Sequence, residues 1–164
     1  MNRRQFFRRS LQTLGVSDPL PGKGAKDSDY LDGRKAMRRG EQKEALVLLN
    51  RAAANHPEDA DCQRALGQCL YRLQRWAEAR ATFEQARNLD AEAQDLILHI
   101  GLTMAREERL DEAMACWAEF NDPSAVLIRR EINLDSALMD AGHPPSGEEA
   151  AQGMEEAMKG CGLF

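Results

Sequence analysis

Small and apolar residues return along this chain at one fixed interval, and polar residues keep step with them. Glycine stands at Gly33, Gly67 and Gly101, alanine at Ala45, Ala79 and Ala113, and a large apolar side chain at Leu49, Phe83 and Trp117. Arginine at Arg38, Arg72 and Arg106 and glutamate at Glu44, Glu78 and Glu112 recur with the same period of 34 residues. A unit of that length cannot bury its own apolar face and must stack on copies of itself, so the period predicts a repeat array with an extended groove and not an enzyme cleft. The pattern places helices at about 27–39, 42–55, 59–73, 76–89, 93–107 and 110–120.

Two further helices are expected beyond the third interval. Asp122-Pro123 reads as an N-cap followed by proline at the first helical position, and Leu127, Glu131, Leu134 and Leu138 then mark a stripe that ends at Gly142. A helix over 123–142 with that stripe is expected to close the apolar face of the last unit, as stacked arrays require. Pro144-Pro145 separates it from an acidic segment, 143–164. There Ser146 and Glu149 form a capping box and Met154, Ala157 and Met158 a narrow apolar face, while Gly153 weakens the helix and makes it a candidate for mobility.

The spacing of these residues resembles the tetratricopeptide repeat, over about residues 26–123. The second unit carries the family's pattern best, with Leu66-Gly67 and Leu70 in its first helix and Ala79 and Phe83 in its second. The first has Gly33, Ala36, Ala45, Leu49 and the closing Pro57; the third has Ile100-Gly101, Met104, Ala113 and Trp117, with Pro123 arriving two residues early. Asp29, Gln63 and Ile97 depart from the family's tryptophan slot, and Asp32 from the leucine before Gly33. The resemblance implies an all-α fold: a right-handed α-solenoid of three helix-turn-helix units over 27–122, followed by C-terminal capping helices. Glycine and alanine then let paired helices approach while Leu49, Phe83 and Trp117 fill the space between them.

Composition agrees with a folded helical body. The chain has 43% hydrophobic and 30% charged residues and only 5% aromatic ones, which favours helices over strands. Its net charge of −5 is uneven, because Arg3, Arg4, Arg8, Arg9, Lys23 and Lys26 face Asp18 alone in residues 1–26. That segment carries about +5 and the remainder about −10, so nucleic acid is not expected as a partner of the body. Cys62, Cys69, Cys116 and Cys161 make no CxxC pair, and His56 with Cys62 and Cys69 is an incomplete ligand set, so reduced thiols and no metal are expected.

The first residues carry their own signals. Arg3 and Arg4 with Phe6 and Phe7 resemble a twin-arginine export motif, but Arg8, Arg9, Ser10, Gln12 and Thr13 interrupt the apolar stretch a signal peptide needs. Residues 1–14 are better described as a short basic amphipathic segment with Phe7, Leu11 and Leu14 on one face, suited to contact with an anionic membrane surface or a partner's groove; the alternatives are that Phe6, Phe7 and Leu11 fold back to cap the array or that the segment is disordered. Residues 15–26, with Pro19, Pro21, Gly22 and Gly24, read as a flexible linker.

In tetratricopeptide arrays the first helix of each unit lines a concave groove. Carried to this chain, that role falls on Tyr30, Arg34 and Arg38, on Arg64, Gln68 and Arg72, and on Leu98, Leu102 and Arg106. The result is a ladder of arginines at 38, 72 and 106, backed by Arg34 and Arg64, which suits planar bidentate contact with carboxylates. The family's clamp for chaperone tails is missing, since Tyr30, Arg34, Asp95 and His99 stand where Lys and Asn ligands belong. No phosphate loop, nucleophile elbow or cofactor motif appears, and the three histidines lie apart. The reading is a non-enzymatic, cytoplasmic module that binds another protein or peptide, as an adaptor or assembly factor, with an acidic peptide as the natural ligand. Two alternatives stand beside it: a small chaperone of secretion clients, similar in general architecture to type III secretion translocator chaperones, and a membrane-associated or exported protein acting through residues 1–14.

Overall fold

The computed structural model describes residues 28–163, so the basic segment 1–14 and the linker 15–26 lie outside the described residues. Every regular element among the described residues is a helix: α1 (Ser28–Arg39), α2 (Gln42–Asn55), α3 (Ala60–Arg72), α4 (Trp76–Leu89), α5 (Gln94–Arg106), α6 (Leu110–Trp117), α7 (Val126–Asp140) and α8 (Gly147–Gly160). The first six pack as the pairs α1/α2, α3/α4 and α5/α6, and each pair stacks on the next to make a solenoid.

The period is written into the contacts. A Cβ added at Gly33 would lie 2.7 Å from Leu49 Cγ and one at Gly67 would lie 2.6 Å from Phe83 Cε1, while one at Gly101 would run into the Trp117 indole. Only glycine lets the two helices of a unit close on these side chains, all three of which are fully buried. The same interval governs the turns. Gly40, Gln74 and Glu108 take left-handed φ values of 79°, 60° and 58°. The following amide donates to the carbonyl five residues back, Glu41 to Ala36, Arg75 to Leu70 and Arg109 to Met104. These are Schellman closures, which satisfy the orphan carbonyls at each helix end.

Beyond the third unit the structure departs from the expected arrangement. Helix α7 begins at Val126 and not at Pro123, because Asp122 Oδ1 accepts from the Ser124 amide at 2.8 Å and its hydroxyl at 2.7 Å, closing a local turn instead of capping a helix. Its buried positions are Ile128 and Asp135, whereas Leu134 is half exposed. The stripe of Leu127 and Glu131 runs along α8: a Cβ at Gly153 would meet the Glu131 carboxylate, and one at Gly160 would meet Leu127. These contacts set α7 and α8 antiparallel, and α7 touches α6 only lightly.

Helix α8 does most of the closing. Its capping box is formed, with the Glu149 amide donating to Ser146 Oγ and the Ser146 amide to Glu149 Oε2. Gly147 sits against the Ala105 carbonyl at the end of α5, while residues 162 and 163 reach the neighbourhood of His99 near its start. Thus α8 runs antiparallel along α5. Ala150, Ala151, Met154, Ala157 and Met158 are buried there. Removing the two methionine side chains from water contributes about 1.5–3 kcal/mol each, enough to hold as a packed element a helix expected to be mobile.

Candidate functional site

The groove formed by α1, α3 and α5 is occupied over its third unit by α8, and this divides the nine expected groove residues into two sets. Arg34, Arg38, Arg64, Gln68 and Arg72 gather around one cavity of about 430 Å³, together with Met37, Tyr71, His99, Gly162 and Leu163. Tyr30 is buried beside it, its ring hydroxyl accepting from Arg34 Nη1 at 3.1 Å. Leu98 and Leu102 do not line a groove surface: both are fully buried. Nor is Arg106 available there, because α8 covers it.

The charges in the cavity are unequal. Arg64 is neutralised, with Asp61 at 2.9 Å, Asp95 at 3.1 Å and Asp90 at 3.5 Å. Among the described residues Arg34 bonds only to the Tyr30 hydroxyl, and it stacks over that ring at 5.9 Å. Arg72 donates from Nη1 to the Met37 carbonyl at 3.2 Å. Arg34, Arg38 and Arg72 have no carboxylate partner among the described residues, and no acidic residue lines the cavity. Three guanidinium groups on two neighbouring helices therefore present unpaired donors to one open space.

Beneath them His99 is fixed and neutral. Nδ1 lies 2.8 Å from the Asp95 carbonyl and so carries the proton, which leaves Nε2 to accept from the Gln68 amide at 3.4 Å. Burial lowers its pKa further, opposed by the Asp95 carbonyl bond. His99 thus orients Gln68 from below the cavity floor, packed on the Phe83 ring at 4.9 Å.

Tyr71 and Arg106 form the boundary between the open cavity and α8. Arg106 donates to Glu148, to Glu155 Oε1 at 2.6 Å and to the Tyr71 hydroxyl at 3.1 Å. The Tyr71 hydroxyl donates in turn to Glu155 Oε1 at 2.6 Å. Burial and the Glu155 bond push the Tyr71 pKa well up. Burial also disfavours the charged guanidinium of Arg106, but its bonds to Glu148, Glu155 and Tyr71 more than offset this.

Sequence reasoning missed Tyr71 and the turn at 162–163. The slot of Tyr71 holds Met37 and Ala105 in the other units, so the period carries no signal for it. A signal for α8 was present. Tyr30 and Arg64 are matched by Leu98, and Arg34 and Gln68 by Leu102, so the groove face turns apolar where a covering helix needs it.

Among the described residues no helix is long and apolar enough to cross a membrane, and no three His, Cys, Asp or Glu side chains gather as a metal site. Cys62 and Cys69, weighed above as ligands, are buried in the packing of α3. No curated protein matches the chain. Residues 36–98 match the family model of the tetratricopeptide repeat. Residues 36–98 thus carry the tetratricopeptide repeat, which in general binds other proteins or peptides, and the stacked helix pairs and repeated glycine contacts extend the same helical-solenoid arrangement through α6.

Proposed function

We propose that this protein is a binding module, an adaptor or assembly factor, that holds an acidic segment of a partner protein over its first two units. The observation that carries the reading is the set of Arg34, Arg38 and Arg72 around one cavity: among the described residues these three guanidinium groups have no carboxylate partner and no acidic side chain lines the space. Arg34 is half-buried and Arg38 and Arg72 are exposed, so their free donors are open to a ligand that brings carboxylates, which guanidinium groups bind in bidentate fashion. The chain beyond residue 26 is acidic, with a charge of about −10, which repels acidic segments from the rest of the helical body and thereby adds selectivity at this patch. All four cysteines are free thiols, which fits a reducing compartment such as the cytoplasm.

The test is capture of partners from a lysate of the source cells by the full chain, compared with its Arg38→Glu/Arg72→Glu variant and with Arg87→Glu. Arg87 lies on α4, away from the cavity, where it pairs with Glu119. The expected result is loss of specific partners from the groove variant alone. An unchanged partner list sinks the reading.

A further inference from the structure

The array already holds one acidic segment against its arginine ladder, and that segment belongs to the chain itself. Arg38, Arg72 and Arg106 occupy equivalent positions in three successive units. At the third step two carboxylates of one helix, Glu148 and Glu155, are bound by a single guanidinium, and Tyr71 donates a second bond to Glu155. They stand seven residues apart, about 10.5 Å along a helix axis, and share one face. The pair is well shielded, with Arg106 and Glu155 side chains only 14% and 15% exposed.

Resting on the function proposed above, we infer that the partner segment is itself an acidic helix. It lies beside α8, over α1 and α3 as α8 lies over α5, with its carboxylates accepting from Arg72 and Arg38 as those of α8 accept from Arg106. Three features carry this. The groove over α5 is wide enough for a whole helix, and the same repeat builds its width over α1 and α3. The open cavity flanks α8, since Tyr71, which bonds Glu155, and Gly162 and Leu163 all line it, so an incoming helix packs beside α8 instead of displacing it. The cavity also offers Met37 and Tyr71 beside the arginines, which matches a helix with one acidic and one apolar stripe. Displacement of α8 is the less favourable course, because Met154 and Met158 are fully buried and would be returned to water.

The experiment is fluorescence anisotropy with the full chain and a labelled, end-capped peptide of residues 146–160, an acidic helix of known pattern. Two altered peptides accompany it: Glu148→Lys/Glu155→Lys, which reverses the charges, and Gly153→Pro, which prevents the helix. Saturable binding is expected, weakened at least tenfold by either peptide change and by Arg38→Glu/Arg72→Glu in the protein, and less than twofold by Arg87→Glu. Circular dichroism of each variant checks that it is folded. Equal binding of the proline peptide overturns the helix and leaves an extended acidic segment. Binding indifferent to Arg38 and Arg72 shows exchange with α8 at Arg106 and overturns the site. Absence of binding overturns the inference outright, while partner capture through Arg38 and Arg72 judges the function separately.

Discussion

Asp135 shows how a single side chain can oppose the packing around it. It lies on α7, 3% exposed, with Oδ2 buried and without a hydrogen-bond partner among the described residues. Burial, and then the negative charge of Glu131 one turn earlier, push its pKa from 3.8 to about 6. The folded state therefore holds this proton more tightly than the unfolded chain. Its contribution to stability is complete below about pH 3.8, is lost as pH rises through about 6, and is constant above that. Asp135→Asn removes the titration. The variant is expected to gain on the wild type as pH rises from 4 to 6.5, reaching about 1 kcal/mol at neutral pH, a value reduced from the full shift because Asn also lacks a partner there. Urea unfolding of both proteins across that range checks it, and a difference independent of pH rules it out. Nothing in the sequence marks Asp135 as buried. The leucine stripe drew attention to the opposite flank of the helix, because a stripe reports which residues are apolar and not which neighbour each one meets.

Helices were legible as elements wherever a local rule and the repeat agreed. Gly33, Gly67 and Gly101 face Leu49, Phe83 and Trp117, a pairing readable from the period because the same close approach recurs in each unit. The ends of α1, α3 and α5 were less legible, since only Gly40 of the three left-handed residues is a glycine. Gln74 and Glu108 adopt φ of 60° and 58° because the closing bonds from Arg75 and Arg109 need that geometry, at a cost of about 1 kcal/mol for a residue with a Cβ. Gln74→Gly is therefore expected to stabilise the protein by about 0.5–1 kcal/mol, and Glu108→Gly by less, because it also removes the acceptor of the Gly147 amide at 3.2 Å. Gly40→Ala, at a position with nothing within 4 Å of an added Cβ, is expected to destabilise it by a similar amount through backbone strain alone. Thermal melts of the three variants decide this, and a loss of stability in both glycine variants sinks the account. The short-range rule at Asp122 failed for a physical reason of the same kind. Asp122 had two ways to satisfy its carboxylate, and Ser124 offered the nearer one.

At the scale of the whole molecule, the candidate site depends on how the two ends of the array are finished. Stacked repeats hold one another through neighbour interfaces, so the least covered end is expected to open first. The third unit is covered by α8, whose Glu155 is bound by Tyr71 of the second unit across 84 positions of sequence. The first unit, by contrast, packs mainly on α3 among the described residues, and Leu31 and Val47 on it are 46% and 58% exposed. Hydrogen exchange under native conditions is thus expected to show α5 and α8 opening together, with α1 and α2 exchanging at least tenfold faster, a difference of about 1.4 kcal/mol in opening free energy. Tyr71→Phe removes one of the ties to Glu155 and leaves the core of each unit intact, so it is expected to raise exchange in α8 and not in α2. Independent, rapid exchange of α8 in the wild type would show it to be a loose tail, and the two-unit limit of the groove would fall with it. That limit is the part of the site a repeating pattern cannot announce, because it is set by a helix outside the period that folds back on the array.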